Sequence, residues 1–213
     1  MDLTADALLF DLDGTLVDST PAVVRAWTRW AVEHGVTEAQ FRSVHAHGRT
    51  AAELVADLLP AERVAGAVRR IEELELADVD GVVPLPGAAR LLAELPADRW
   101  TIVTSGVRSL ATKRIRAAGL LVPERFVTAD DVRRGKPDPE PYLAGAALLG
   151  VPPERCVVVE DAPAGLTAAR AAGAGTLGVV STHRADELKA DLVLPDLSYL
   201  VVDGTGPLRL RAR

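Results

Sequence analysis

Apolar positions along the chain follow two different periods, and the change between them divides it. A short unbroken apolar run, Ala7-Leu8-Leu9-Phe10, has the length of a buried strand and ends abruptly in Asp11-Leu12-Asp13-Gly14-Thr15. Residues 20 to about 75 then read as helix. Thr20-Pro21 gives an N-cap with proline in the first turn, and Val23, Ala26, Trp27, Trp30 and Ala31 recur at helical spacing up to Gly35. Further helical patterns cover 38–44, 50–59 and 61–77, and no strand pattern interrupts them. The Gly/Pro-rich stretch from Gly81 to Gly87 is a linker.

Beyond it, helices at 88–95, 109–118, 139–149 and 164–172 alternate with strands at 100–104, 126–128, 156–160 and 176–180. Residues 190–202 add one more strand and a short helix, and the Arg-rich tail Leu208–Arg213 reads as frayed and solvated. Strand–helix alternation predicts a parallel sheet covered by helices on both faces. The first strand belongs to that sheet and the helical block is an insertion behind it. The expected architecture is α/β, a doubly wound parallel sheet with an all-helical insertion. Residues 1–15 and 85–213 form the core, and residues 16–84 the insertion.

Composition narrows the function. The chain has 213 residues, 48% of them hydrophobic, which is enough to bury a core. A net charge of −6 with no basic block excludes nucleic acid as an expected partner. The N-terminus is acidic where a signal peptide is basic, and no run approaches the roughly 20 apolar residues needed to cross a bilayer. Cys156, the single cysteine, lies in an apolar run and reads as a core residue. No disulfide can form within the chain, which suits a reducing cytoplasm. The sequence does not specify an oligomeric state, and a monomer is compatible with it.

Ligands of parallel sheets bind at the carboxyl ends of the strands, and four of the expected strand ends carry chemistry. They are Asp11-Leu12-Asp13-Gly14-Thr15, Thr104-Ser105-Gly106, Gly135-Lys136-Pro137 and Glu160-Asp161. Carboxylates at i and i+2 repel unless a cation or a shared proton intervenes. Phosphoryl transfer supplies both: Mg²⁺ takes carboxylate and phosphate oxygens, and a carboxylate nucleophile needs an acid for the leaving alkoxide. Thr104 and the amides of Ser105 and Gly106 can donate to phosphate oxygens, Lys136 offers a point charge, and Glu160 and Asp161 can close a metal site. Singly each motif has an ordinary reading: a turn, a helix cap, a solvated lysine, an acidic helix start. Together and in this order they point to one site. An EF-hand fails, because no Asp or Asn follows at the next alternate position and no Glu ends the loop.

These stretches, from Phe10 to Ser19, Val103 to Gly106, Gly135 to Tyr142 and Val159 to Gly165, resemble the haloacid-dehalogenase-like superfamily in its phosphatase branch. The resemblance implies a Rossmann-like core with a mobile helical cap, Asp11 as nucleophile and Asp13 as acid/base. It also implies phosphate binding by Thr104 and Lys136. Mg²⁺ would be held by Asp11, the Asp13 carbonyl and Asp161, with Glu160 as helper or alternative ligand. Asp13 argues against the dehalogenases, which lack the second aspartate. β-Phosphoglucomutase-like members use a cap histidine where this chain has Val23, which argues against a mutase. His47-Gly48-Arg49-Thr50, Thr104-Ser105-Gly106-Val107-Arg108 and Glu160-Asp161-Ala162-Pro163 resemble the sugar- and glycerol-phosphate phosphatases, and that resemblance implies a small phosphorylated metabolite as substrate.

In the cap, Arg49 is a candidate substrate contact with His45 and His47 beside it, and Trp27 and Trp30 read as cap core. A phosphorelay receiver also gathers Asp, Thr and Lys at strand ends. Receivers lack a helical insertion after the first strand, and their acceptor stands on a later strand than the metal-binding pair.

Overall fold

The computed structural model describes residues 2–44, 49–204 and 207–213. Its centre is a five-stranded, all-parallel sheet of β2 (Ala7–Phe10), β5 (Trp100–Ile102), β6 (Cys156–Glu160), β7 (Gly175–Val179) and β8 (Leu192–Leu194), in the order β5-β2-β6-β7-β8. β2 is therefore interior, with Leu9 opposite Thr101 on one side and Val158 on the other. All four of its residues are buried, because both faces of the sheet are covered. Side chains alternate between the faces. Leu8, Phe10, Val157, Val159 and Leu177 join one core, while Ala7, Leu9, Cys156 and Val158 join a second with Tyr142, Ala146 and Ala168. Helices α5 (Ala88–Glu94) and α6 (Arg108–Ala117) contribute to the first core, and α7 (Glu140–Leu149) and α8 (Pro163–Ala171) to the second. Burial pushes the Cys156 thiol up to about 11, as expected of a core cysteine.

Between residues 19 and 82 the described residues form four helices: α1 (Thr20–His34), α2 (Glu38–Arg42), α3 (Ala51–Leu58) and α4 (Ala61–Ala77). They enclose an apolar cluster of their own, including Trp27, Trp30, Leu54, Val55 and Ile71. The Trp30 indole donates to the Ala67 carbonyl at 2.8 Å, so its polar edge is satisfied where it is buried. Helix α1 ends at Gly35, whose left-handed φ of 69° suits glycine. Thr37 with Gln40, and Thr50 with Glu53, form capping boxes that start α2 and α3. The insertion is entered and left through a two-stranded ribbon, β3 (Val17–Asp18) against β4 (Val83–Pro84), which the sequence pattern did not foretell.

Two other expectations are corrected. The tail is not frayed. β10 (Leu208–Ala212) is the middle strand of a three-stranded antiparallel sheet, between β1 (Leu3–Ala5) and β9 (Leu200–Asp203). Leu208 and Leu210 alternate with exposed arginines, so one face of the strand is buried against the core. The strand expected near Phe126 reduces to a single bridge, Val103 to Val127. Among the described residues, no helix is long and apolar enough to cross a membrane.

Candidate active site

The loops after β2, β5, β6 and β7 meet at one end of the sheet, with the segment holding Lys136 beside them. Asp11 follows β2 directly and its backbone amide donates to Val159 at 3.0 Å. Lys136 is fully buried and its ammonium donates to three oxygens: Asp11 Oδ1 at 2.6 Å, Glu160 Oε1 at 2.8 Å and the Val103 carbonyl at 3.1 Å. All three ammonium protons are thus placed, and the lysine fixes the rotamer of Asp11. Burial alone would lower the Lys136 pKa, but Asp11 and Glu160 outweigh it and hold the group above the usual lysine value.

Glu160 is equally committed. Oε1 accepts from Lys136 and from the Tyr142 hydroxyl at 2.7 Å, and Oε2 accepts from the amides of Asp161 and Ala162 at 3.0 and 3.1 Å. A Cβ on Gly165 would collide with this carboxylate, so glycine there leaves room for it. Glu160, expected as a helper or alternative metal ligand, accepts from four donors, Lys136 among them, and its carboxylate also falls in the acidic group that could hold an ion.

Asp161 accepts from the Thr15 hydroxyl at 3.1 Å and from the Thr182 hydroxyl. Burial raises its pKa to about 7, with Glu160 adding to the effect. Burial likewise lifts Asp11 well above the carboxylate range, partly offset by Lys136. Oxygens of Asp11, Glu160 and Asp161 all lie within 4.8 Å of one another. Among the described residues the three buried carboxylates face a single ammonium, a charge balance that a divalent cation would complete. The donors are hard oxygens, which fits a metal of the Mg²⁺ kind. With Glu160 engaged, Asp11 and Asp161 are the carboxylates that would hold it.

Asp13 is held apart from this cluster. Its Oδ1 accepts from Ser19 Oγ at 2.6 Å and from Arg114 Nη1 at 3.0 Å. It lines a cavity of about 790 Å³ together with Asp11, Thr104, Ser105 and Gly106 on the core side. Thr104 is buried and its Oγ1 accepts from the Gly106 amide at 3.1 Å, which shapes the turn. The insertion supplies much of the remaining wall, including Val23, Trp27, Phe41 and Arg49. Arg49 reaches Asp57 at 2.8 Å as well as lining the cavity. His45 and His47 lie outside the described residues.

The sequence reading missed Arg114, Glu75, Thr15 and Thr182. A signal for Arg114 existed. Leu110, Ala111 and Ile115 mark the buried face of α6, and Arg114 falls on it. Glu75 falls in the same way beside Ile71 and Leu74 on α4. A charge on an apolar face needs a partner, and these two are partners, at 3.0 Å.

Fold and site together define a hydrolase of the Rossmann-like class, with an acidic strand-end centre beneath a helical insertion. The chain belongs to the haloacid dehalogenase-like hydrolase family, whose profile matches residues 5–173. It is 45% identical to hexitol phosphatase A of Escherichia coli over 91% of this chain and 92% of that protein. It is 34% identical to glycerol-1-phosphate phosphohydrolase 2 of Saccharomyces cerevisiae, over 96% of this chain and 87% of the relative. A solved hydrolase from Pseudomonas syringae superposes with a TM-score of 0.81 at 32% identity, covering 91% of this chain and 94% of its own.

Proposed function

We propose that the chain is a Mg²⁺-dependent phosphatase of a small sugar or polyol phosphate, working in the cytoplasm, with residues 16–84 as its cap. The observation that carries this reading is the separation of the two aspartates. Asp11 is oriented by Lys136 in the buried acidic cluster, while Asp13 faces the cavity on different supports. This separation supports a reading in which Asp11 attacks phosphorus and Asp13 handles protons.

In the first step an Asp11 oxygen bonds to phosphorus as the bond to the substrate's leaving oxygen breaks, and the proton on Asp13 passes to that oxygen. In the second, a water oxygen bonds to phosphorus, its proton returns to Asp13, and the bond from phosphorus to Asp11 breaks to release phosphate. Thr104 and the amides of Ser105 and Gly106 are the donors for the phosphoryl oxygens. Lys136 acts on the nucleophile and its charge rather than on the phosphate alone. Asp11, Asp161 and the Asp13 carbonyl would hold the metal, which supplies positive charge against the phosphoryl oxygens. Arg49 is the cap's candidate contact to the substrate's hydroxyls.

The hexitol and glycerol phosphates named for the relatives are small molecules that suit a cavity of about 790 Å³ whose wall the core and the insertion share. A phosphomutase reading has less support, since Val23 offers no titratable group in the cavity wall. The test is phosphate release with Mg²⁺ from a panel of hexitol, hexose and glycerol phosphates, with glucose 1-phosphate and a bisphosphate activator as the mutase arm. Catalytic release from at least one polyol or sugar ester is expected. Phosphate transfer to sugar without release would replace this reading by the mutase one.

The carboxylate pKa values give the metal dependence a sign. Asp11 and Asp161 are raised in the folded state, so without metal they keep protons that an unfolded chain, with Asp near about 3.9, releases. The Asp161 contribution to stability is complete below that value and is lost as pH rises through about 7, and Asp11 acts in the same direction. A divalent cation requires the ionised forms, so its stabilising effect grows over the same interval. The gain in Tm on adding Mg²⁺ is expected to be larger near pH 8 than at about pH 5.5. Melts with Mg²⁺ and with chelator measure this, and equal gains would remove these carboxylates from the metal site.

A further inference from the structure

Arg114 belongs to the core helix α6, yet its guanidinium joins two carboxylates on different parts of the molecule. Nη1 donates to Asp13 Oδ1 at 3.0 Å, and Nη2 donates to Glu75 Oε1, on α4 of the insertion, at 3.0 Å. Arg114 and Glu75 are both buried, so neither is screened by solvent as a surface pair is. Burial raises the Glu75 carboxyl, with Arg114 pulling against it, and Asp13 and Glu75 together hold the guanidinium charged against its own burial. One residue back, the Lys113 ammonium donates to the Leu76 carbonyl, so two successive residues of α6 grip the end of α4. The guanidinium is a planar fork whose direction is set by both carboxylates at once.

We propose that Arg114 is a positioning residue that suspends Asp13 from Glu75, so that the acid/base takes its working place only while the helical insertion is seated on the core. This rests on the assignment of Asp13 as acid/base made above. Seating the insertion completes the fork on Arg114, and the fork in turn fixes the rotamer of Asp13. Ser19, the other donor to Asp13, lies just before α1 at the entry to the same insertion. Both supports of the acid/base therefore report on where the insertion sits.

The test separates the acid's role from general damage by changing the leaving group. kcat/KM covers steps up to departure of the leaving group. A poor alkoxide leaving group needs the proton from Asp13, whereas p-nitrophenolate leaves without it. Arg114→Met is expected to lower kcat/KM for glycerol or hexitol phosphate on the order of 100-fold, and for p-nitrophenyl phosphate by less than about threefold. Arg114→Lys should restore part of the loss on the alkyl ester. Glu75→Gln, which leaves the contact to Asp13 chemically intact, should give a smaller loss with the same leaving-group dependence.

Because Arg114→Met strands the Glu75 carboxylate, the Arg114→Met/Glu75→Gln double variant is the folding control, and it should keep the leaving-group dependence of the single variant. Equal losses on both esters in that double variant would overturn the proposal, as would a loss confined to KM. If the unsubstituted protein released no phosphate from either ester, the phosphatase reading itself would fall instead.

Discussion

Asparagine in place of Asp11 is expected to reduce phosphate release on the order of 10⁴-fold or more, the scale of losing a covalent nucleophile. The amide keeps the size of the carboxylate, and its oxygen can still accept from Lys136, so the loop after β2 keeps its shape. What disappears is the anionic oxygen that bonds to phosphorus. The same substitution should leave Tm unchanged or raise it. Burial lifts the Asp11 pKa, meaning that the folded protein holds this charge at a cost that an amide avoids. Loss of turnover together with preserved stability is the signature of a group kept for chemistry. Phosphate release and thermal melts, run side by side, measure the two halves. Retained turnover would displace Asp11 as the nucleophile.

Methionine in place of Lys136 should do the reverse, damaging the fold first. The ammonium is fully buried and is the sole cation contacting Asp11 and Glu160 among the described residues. Removing one partner from a buried ion pair costs about 3–5 kcal/mol, because the remaining charge has neither water nor a counter-ion. Here two carboxylates and the Val103 carbonyl lose their donor together. The stability loss should be greatest near neutral pH and shrink in mild acid, where the stranded carboxylates take up protons. Denaturant unfolding at two pH values measures it. A change within about 1 kcal/mol would show that the acidic cluster does not depend on this charge.

Much of the site was legible because its parts stand at strand ends, where an apolar run stops on a polar residue. Asp11, Thr104, Lys136 and Glu160-Asp161 were all singled out in this way, although the strand expected before Lys136 reduces to a single bridge. The contacts between them were not legible. The acidic pair after β6 divides its duties, Glu160 turned to Lys136 and Tyr142 and Asp161 to Thr15 and Thr182, and nothing in two adjacent acids shows which way each faces. Arg114 was hidden among Arg108, Lys113 and Arg116, and its significance lies in a partner from a helix distant in sequence. The tail was misread because the Leu-Arg alternation of residues 208–211 was weighed by its charges and not by its period of two. That period is the pattern of a strand with one buried face.

The position of β2 also bears on how the protein reaches its native state. Leu8 lies opposite Trp100 on one side and Val157 on the other, so the strand that presents Asp11 is made early and secured late. The intervening helices enclose their own apolar cluster and contact one another without help from the later strands, which favours their forming as a unit. The roof over the site can thus exist before its floor does. Until the later strands arrive, an apolar four-residue run stays bare, and its ladder groups are open to any other unpaired strand. The same interior placement that shields the nucleophile in the finished enzyme leaves its strand with two open edges during synthesis.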